Sequence, residues 1–212
     1  MDTTIELVEA YLQVNGYFTV TEYPVLEALT AGGECAATDL DVLAIRFPEA
    51  GYLVAREDNL KLDRKNIFKT DPKLAVPKDQ LDMIIGAVGA SQNRSVKAAL
   101  DETVLRAALA RFGCCTQPQA EGVVDRLLEQ GEVTTAAGHR ARLVHFGMPS
   151  AQSVLPMARF VSLSRVVGFV REYLNQHWME LRRVRFKHPS INVLALMEKL
   201  AWGEALHIDD GE

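Results

Sequence analysis

In TTIELVEAYLQVNGYF the apolar positions Ile5, Val8 and Leu12 recur at helical spacing behind a threonine cap candidate and stop at Gly16, which predicts a first helix. The following YFTVTEYPVL is β-branched and aromatic, as strands are, with Pro24 marking its end or an edge position. Beyond the loop LTAGGE, the run AATDLDVLAIRFP alternates. A second strand there sets Asp39 and Asp41 on one side and Leu40, Val42 and Ala44 on the other. These two strands are expected to pair.

Residues 48–80 carry many charges and little periodicity, and read as an insertion partly ordered by its apolar residues. LDMIIGAV then forms a third strand, apolar enough to be buried on both faces in the middle of a sheet. VKAALDETVLRAALARFG supplies one or two helices ending at Gly113. From residue 101 to 147 the order becomes helix, turn, helix and hairpin, which resembles a winged-helix module with a wing around Gly138. VVGFVREYLNQHWMELRRVRF predicts a long amphipathic helix, broken at HPS before a last helix, INVLALMEKLAW. The expected organisation is an αβ core over 1–100, a winged-helix-like segment over 101–150, and C-terminal helices over 151–212 packed on the core.

Composition narrows the function classes. Hydrophobic residues make up 48% and charged ones 24% of the 212 residues, as in globular proteins. No apolar run is long enough to span a membrane, and MDTTIELVEA lacks the head of a secretory signal, so a cytoplasmic protein is expected. The net charge of −5 argues against coating nucleic acid by bulk electrostatics but leaves room for a local basic face. Cys35, Cys114 and Cys115 form no CxxC pair, so buried thiols are expected. The five histidines show no metal-ligand spacing, and no phosphate-binding glycine loop is present.

Asp41 is the residue that most needs a chemical reason, since an acid flanked by Leu40 and Val42 is costly to bury unless a cation, hydrogen bonds or water satisfy it. It can equally lie on the wet side of an edge strand with Asp39. The phrases ELVEAYLQVNGYFTVTEYPVL, TDLDVLAIR, DPKLAVPKDQLDMIIG, VLRAALARFGCC and AAGHRARLVHFG together resemble a bacterial branch of the PD-(D/E)xK nuclease superfamily, and they span most of the chain. The resemblance implies an α+β, restriction-endonuclease-like core with a mixed sheet flanked by helices. It also implies a remnant site of Glu6 or Glu9 on the first helix and Asp41 on the second strand, with Asp41 and Glu6 as the metal ligands. In that superfamily carboxylates hold Mg²⁺ or Mn²⁺ against the scissile phosphate and a lysine positions the attacking water. The resembling strand continues GEVK; this one reads Gly86, Ala87, Val88, Gly89, so the acid and the lysine positions, 87 and 89, are vacant. Glu6 and Glu9 also fit a surface role, acids being favoured in a first helical turn.

The implied function is that of a degenerate nuclease-like subunit in DNA repair or bacterial defence, one that binds nucleic acid or a partner protein with impaired catalysis. Two alternatives stand beside it. The first is an active Mg²⁺- or Mn²⁺-dependent DNA endonuclease whose third motif has migrated to Asp82, Arg94, Lys97 or Glu102. The second is a winged-helix regulator touching DNA backbone through Arg140 and Arg142. The segment RRVRFKH adds Arg182, Arg183, Arg185 and Lys187 as phosphate contacts, or else as cations stabilising a helix C-terminus.

Overall fold

The computed structural model describes residues 2–28, 34–50, 70–89, 96, 99–149 and 155–208. Most of the loop LTAGGE, residues 51–69 of the insertion, Arg94 and Lys97 lie outside the described residues. Helix α1 spans Thr3–Val14, and its cap is Asp2 rather than a threonine, the carboxylate accepting the Thr4 N–H at 2.7 Å. Strands β1 (Phe18–Ala28), β2 (Glu34–Arg46) and β3 (Asp82–Val88) form an antiparallel meander. Helices α2 (Glu102–Phe112) and α3 (Gln117–Gln130) then lead into the hairpin β4 (Glu132–Thr134) and β5 (Arg140–Gly147). After β6 (Arg159–Ser162) come α4 (Leu163–Gln176), the single turn α5 (Trp178–Leu181) and α6 (Pro189–Ile208).

The sheet is mixed and six-stranded, ordered β1-β2-β3-β5-β4, with β6 also on β5. The predicted hairpin is present but does not stand apart as a wing. Its second strand lies parallel to β3 from Asp82↔Arg140 to Val88↔Phe146, so β5 is an inner strand. On the outer edge of β5, β4 pairs with residues 140–142 and β6 with 144–147.

Alternation along β3 explains its complete burial. Met83, Ile85 and Ala87 join Leu43, Leu143 and the α2/α3 residues Leu105, Leu109, Val124 and Leu127 in one core. Ile84 and Val88 join Val42, Ala44 and Phe146 beneath Tyr11 and Leu12 of α1 and Val166, Phe169 and Val170 of α4 in the other. Residues before and after position 100 therefore share one core on each face of the sheet.

The C-terminal helix read from 166 to 186 is shorter in the structure. It ends at Gln176, one further turn follows, and 182–188 is irregular. Leu174 is its last buried apolar residue and Met179 is 65% exposed, so beyond it there is little tertiary packing to hold a helix.

Two buried polar clusters tie residues 70–75 to the sheet and helices. Arg142, 1% exposed, donates to Asp82 through Nε and through Nη2 at 2.7 Å, to the Leu74 carbonyl at 2.6 Å and to the Tyr17 hydroxyl at 3.0 Å. Tyr17 in turn donates to Asp82. Nearby, buried Asp71 accepts from the Tyr11 hydroxyl at 2.8 Å, from Arg165 Nε and Nη2 at 2.8 and 2.9 Å, and from the Lys73 N–H at 2.9 Å. Burial pushes the Asp71 carboxyl up, but the Arg165 guanidinium, the Lys73 N–H and the Tyr11 hydroxyl outweigh it and hold the group below the usual carboxylate range.

A depressed folded pKa contributes stability that is present above the ordinary value of 3.8 and is lost as pH falls through the lower folded value. Asp71→Asn should therefore flatten the acid limb of a urea-midpoint profile below about pH 4, followed by circular dichroism. An unchanged acid limb would rule this carboxylate out as the titrating group.

Candidate functional site at the end of the third strand

The β2–β3 ladder runs from Arg46↔Asp82 to Val42↔Gly86, and one step further in the same register sets Asp41 opposite Ala87. There the regular pattern breaks. Leu40 and Val42, two residues apart, belong to different cores, whereas strict alternation would place both on one side. The expected partition of Asp39 and Asp41 against Leu40, Val42 and Ala44 is corrected accordingly: Asp39 is exposed and Asp41 is buried at 8% exposure. The Asp41 carboxylate turns to the strand end and accepts the Val88 N–H at 2.6 Å. That bond gives Asp41 a structural role at the place where the sheet opens.

The positions that the resemblance would give an acid and a lysine, 87 and 89, flank the Val88 whose N–H Asp41 accepts. Ala87 is 2% exposed, and the next residue across the sheet is His145. Gly89 has φ +128°, a conformation side chains rarely adopt, so a lysine here would be strained even before its surroundings are considered. The Gly89 N–H donates to the Phe146 carbonyl at 2.9 Å, and the Gly89 carbonyl lies 3.1 Å from His145 Nε2. A Cβ at Gly147 would come within 2.8 Å of that carbonyl, so glycine at 147 lets the end of β3 lie down on β5.

His145 is a site residue that sequence spacing did not single out. It is fully buried, its ring stands edge-on to Phe160, and its buried Nδ1 has no hydrogen-bond partner among the described residues. The one signal in the sequence was a polar ring between Val144 and Phe146 on a strand.

Glu6 and Glu9 lead elsewhere. Glu6 Oε2 accepts from Ser190 Oγ at 2.7 Å. Glu9, 4% exposed, accepts from Gln13 Nε2 and Thr19 Oγ1, both at 3.2 Å, and its Oε2 lies 3.5 Å from buried His188 Nε2. Both glutamates thus tie α1 to the start of α6. Among the described residues no three His, Cys, Asp or Glu side chains converge as a metal site. One buried carboxylate beside a methyl group and a hydrogen does not fit an octahedral divalent cation, which takes at least two well-placed protein oxygens or a phosphate.

The basic residues divide into two groups. Arg142 is wholly internal and has no surface to offer a phosphate, which corrects its reading as a wing contact. Arg140 donates to the Ala75 carbonyl at 3.0 Å and pairs with Glu132, so it too turns toward the protein. Arg182, Arg183, Arg185 and Lys187, in contrast, are exposed. Around Arg185 and Lys187 the backbone is pinned by Asn192, whose Oδ1 accepts the Phe186 N–H at 3.0 Å and whose Nδ2 donates to the Phe186 and His188 carbonyls at 2.9 and 3.1 Å. Arg182 closes the single turn α5, its N–H bonding the Trp178 carbonyl at 2.8 Å, so it lies at a helix C-terminus, while Arg185 and Lys187 follow in irregular backbone.

The fold and site define a mixed α/β protein on a six-stranded mixed sheet, with a polar strand end and a pinned basic segment. No family model, curated protein or solved structure matches the chain. Among the described residues no helix is long and apolar enough to cross a membrane.

Proposed function

We propose that the chain is a nuclease-like protein of PD-(D/E)xK type that binds nucleic acid without cutting it. The observation that carries the reading is the end of β3, where Ala87 and Gly89 flank Val88, whose N–H is accepted by Asp41. Neither small residue can ligate a cation or position a water. The order helix, three-strand antiparallel meander, two helices and a strand parallel to the third supports the likeness in topology. Binding falls to Arg182, Arg183, Arg185 and Lys187, four exposed cations, the last two beside a Phe186 whose backbone Asn192 holds in place.

Fluorescence anisotropy with labelled single- and double-stranded DNA tests the binding. The slope of log affinity against log salt should be roughly −3 to −4 on duplex if all four cations meet phosphates. The double change Arg182→Glu, Arg183→Glu should weaken binding at least about tenfold, since it removes two phosphate contacts and adds repulsion. Plasmid incubated with Mg²⁺ or Mn²⁺ should stay intact. Metal-dependent cleavage abolished by Asp41→Ala would overturn the non-cutting reading, and absence of any binding at low salt would overturn the binding one.

A further inference from the structure

Helix α6 buries Ile191, Leu194 and Glu198 against the protein, the last accepting from Arg171 Nε at 2.6 Å. Its other side carries Val193, Leu196, Met197 and Leu200, exposed at 57%, 53%, 50% and 60%. Their spacing is that of a packing seam running two turns along the helix. Together they expose about 400 Å² of apolar surface, within the range at which the largest patch on a monomer tends to be functional.

We propose that this stripe is the interface of a homodimer, in which α6 packs antiparallel to α6 of a second copy about a two-fold axis between Leu196 and Met197. The intervals 3, 1, 3 along the stripe read the same in both directions. A two-fold axis therefore sets Val193 against the partner's Leu200 and Leu196 against the partner's Met197, each apolar residue meeting another. Two such patches bring roughly 800 Å² together before any rim is counted, close to the roughly 1,000 Å² that a specific interface should clear.

Charge selects the orientation. A parallel pairing would bring together two copies of the segment holding Arg182, Arg183, Arg185 and Lys187, which directly precedes α6. The antiparallel one places these segments at opposite ends of the interface, with the two helix starts about 20 Å apart at 1.5 Å per residue. Both remain open to solvent.

The test is sedimentation equilibrium of the full chain over a wide concentration range, with Leu196→Glu as the first variant. Because Leu196 is exposed in the single chain, the variant should keep the parent's circular dichroism and melting temperature at low micromolar concentration. The parent should dimerise, and the variant's dimer dissociation constant should rise at least about 100-fold, as for a central interface residue. For orientation, Val193→Cys protein mixed with Leu200→Cys protein should cross-link on mild oxidation far more than either alone. A parent that stays monomeric at high concentration, a dimer indifferent to Leu196→Glu, or cross-linking of Val193→Cys protein to itself would each overturn the proposal. So would a monomer that binds vesicles of anionic phospholipid through the same stripe.

Discussion

Replacing Asp82 with alanine is expected to destabilise the fold by about 3–5 kcal/mol, the cost of leaving a buried charge without its partner. Arg142 and Asp82 are 1% and 0% exposed, and the arginine is satisfied by one carboxylate, one carbonyl and one phenol. Removing the carboxylate strands the guanidinium at the centre of the sheet and also leaves the Tyr17 hydroxyl without its acceptor. Burial pushes that hydroxyl well above its ordinary range, so it stays a proton donor at every accessible pH. The measurement is the urea midpoint of Asp82→Ala beside that of the double change Asp82→Leu, Arg142→Met. If the charge is what destabilises, the double variant recovers much of the loss, because apolar residues of similar volume often replace a buried pair at little cost. A single variant within about 1 kcal/mol of the parent would mean that the arginine finds water or another acceptor.

This pair also shows where the sequence stops being legible. LDMIIGAV could be read as an inner strand from apolar density alone, and the structure buries all seven residues of β3. Helix α1, the β1–β2 pair, the two helices ending at Gly113 and Gly131 and the hairpin after them carried equally local signals in periodicity, caps and turn residues. Arg142 did not. In RARLVHFG it looks like the wet side of a wing, and only a partner 60 residues away in the chain makes it internal. β6 escaped because four residues are too few to show alternation. Asp41 stands out in the sequence as an acid needing a partner, but local pattern cannot name the Val88 N–H, which lies 47 residues away in the chain on β3. Glu6 and Glu9 went to Ser190 and His188, partners supplied by the far end of the chain.

Position 87 can be probed without any assumption about activity. Ala87→Glu inserts a carboxylate into a site that is 2% exposed, one strand from Asp41 and one from His145, and at neutral pH the expected cost is about 2–4 kcal/mol from desolvation and like charge. Burial beside an acid raises the folded pKa of the introduced group above its unfolded value. Below the unfolded value both states are neutral and the charge penalty is absent; as pH rises through and beyond it the folded state loses ground. The difference in urea midpoint between Ala87→Glu and the parent should therefore shrink toward pH 4 and widen toward pH 7, while Ala87→Gln should show a difference that stays flat. Addition of Asp41→Asn should relieve part of the neutral-pH loss. Manganese supplies the last discrimination: a pair of carboxylates in one cleft is a better cation site than Asp41 alone, so millimolar Mn²⁺ should raise the melting temperature of Ala87→Glu and leave the parent and Ala87→Gln unmoved. A loss that Asp41→Asn does not relieve, with no response to the cation, would mean that a side chain at 87 turns away from Asp41. The nuclease-like reading of this strand end would then have no geometric support, because the carboxylate of Asp41 would serve the fold, as it does in accepting the Val88 N–H.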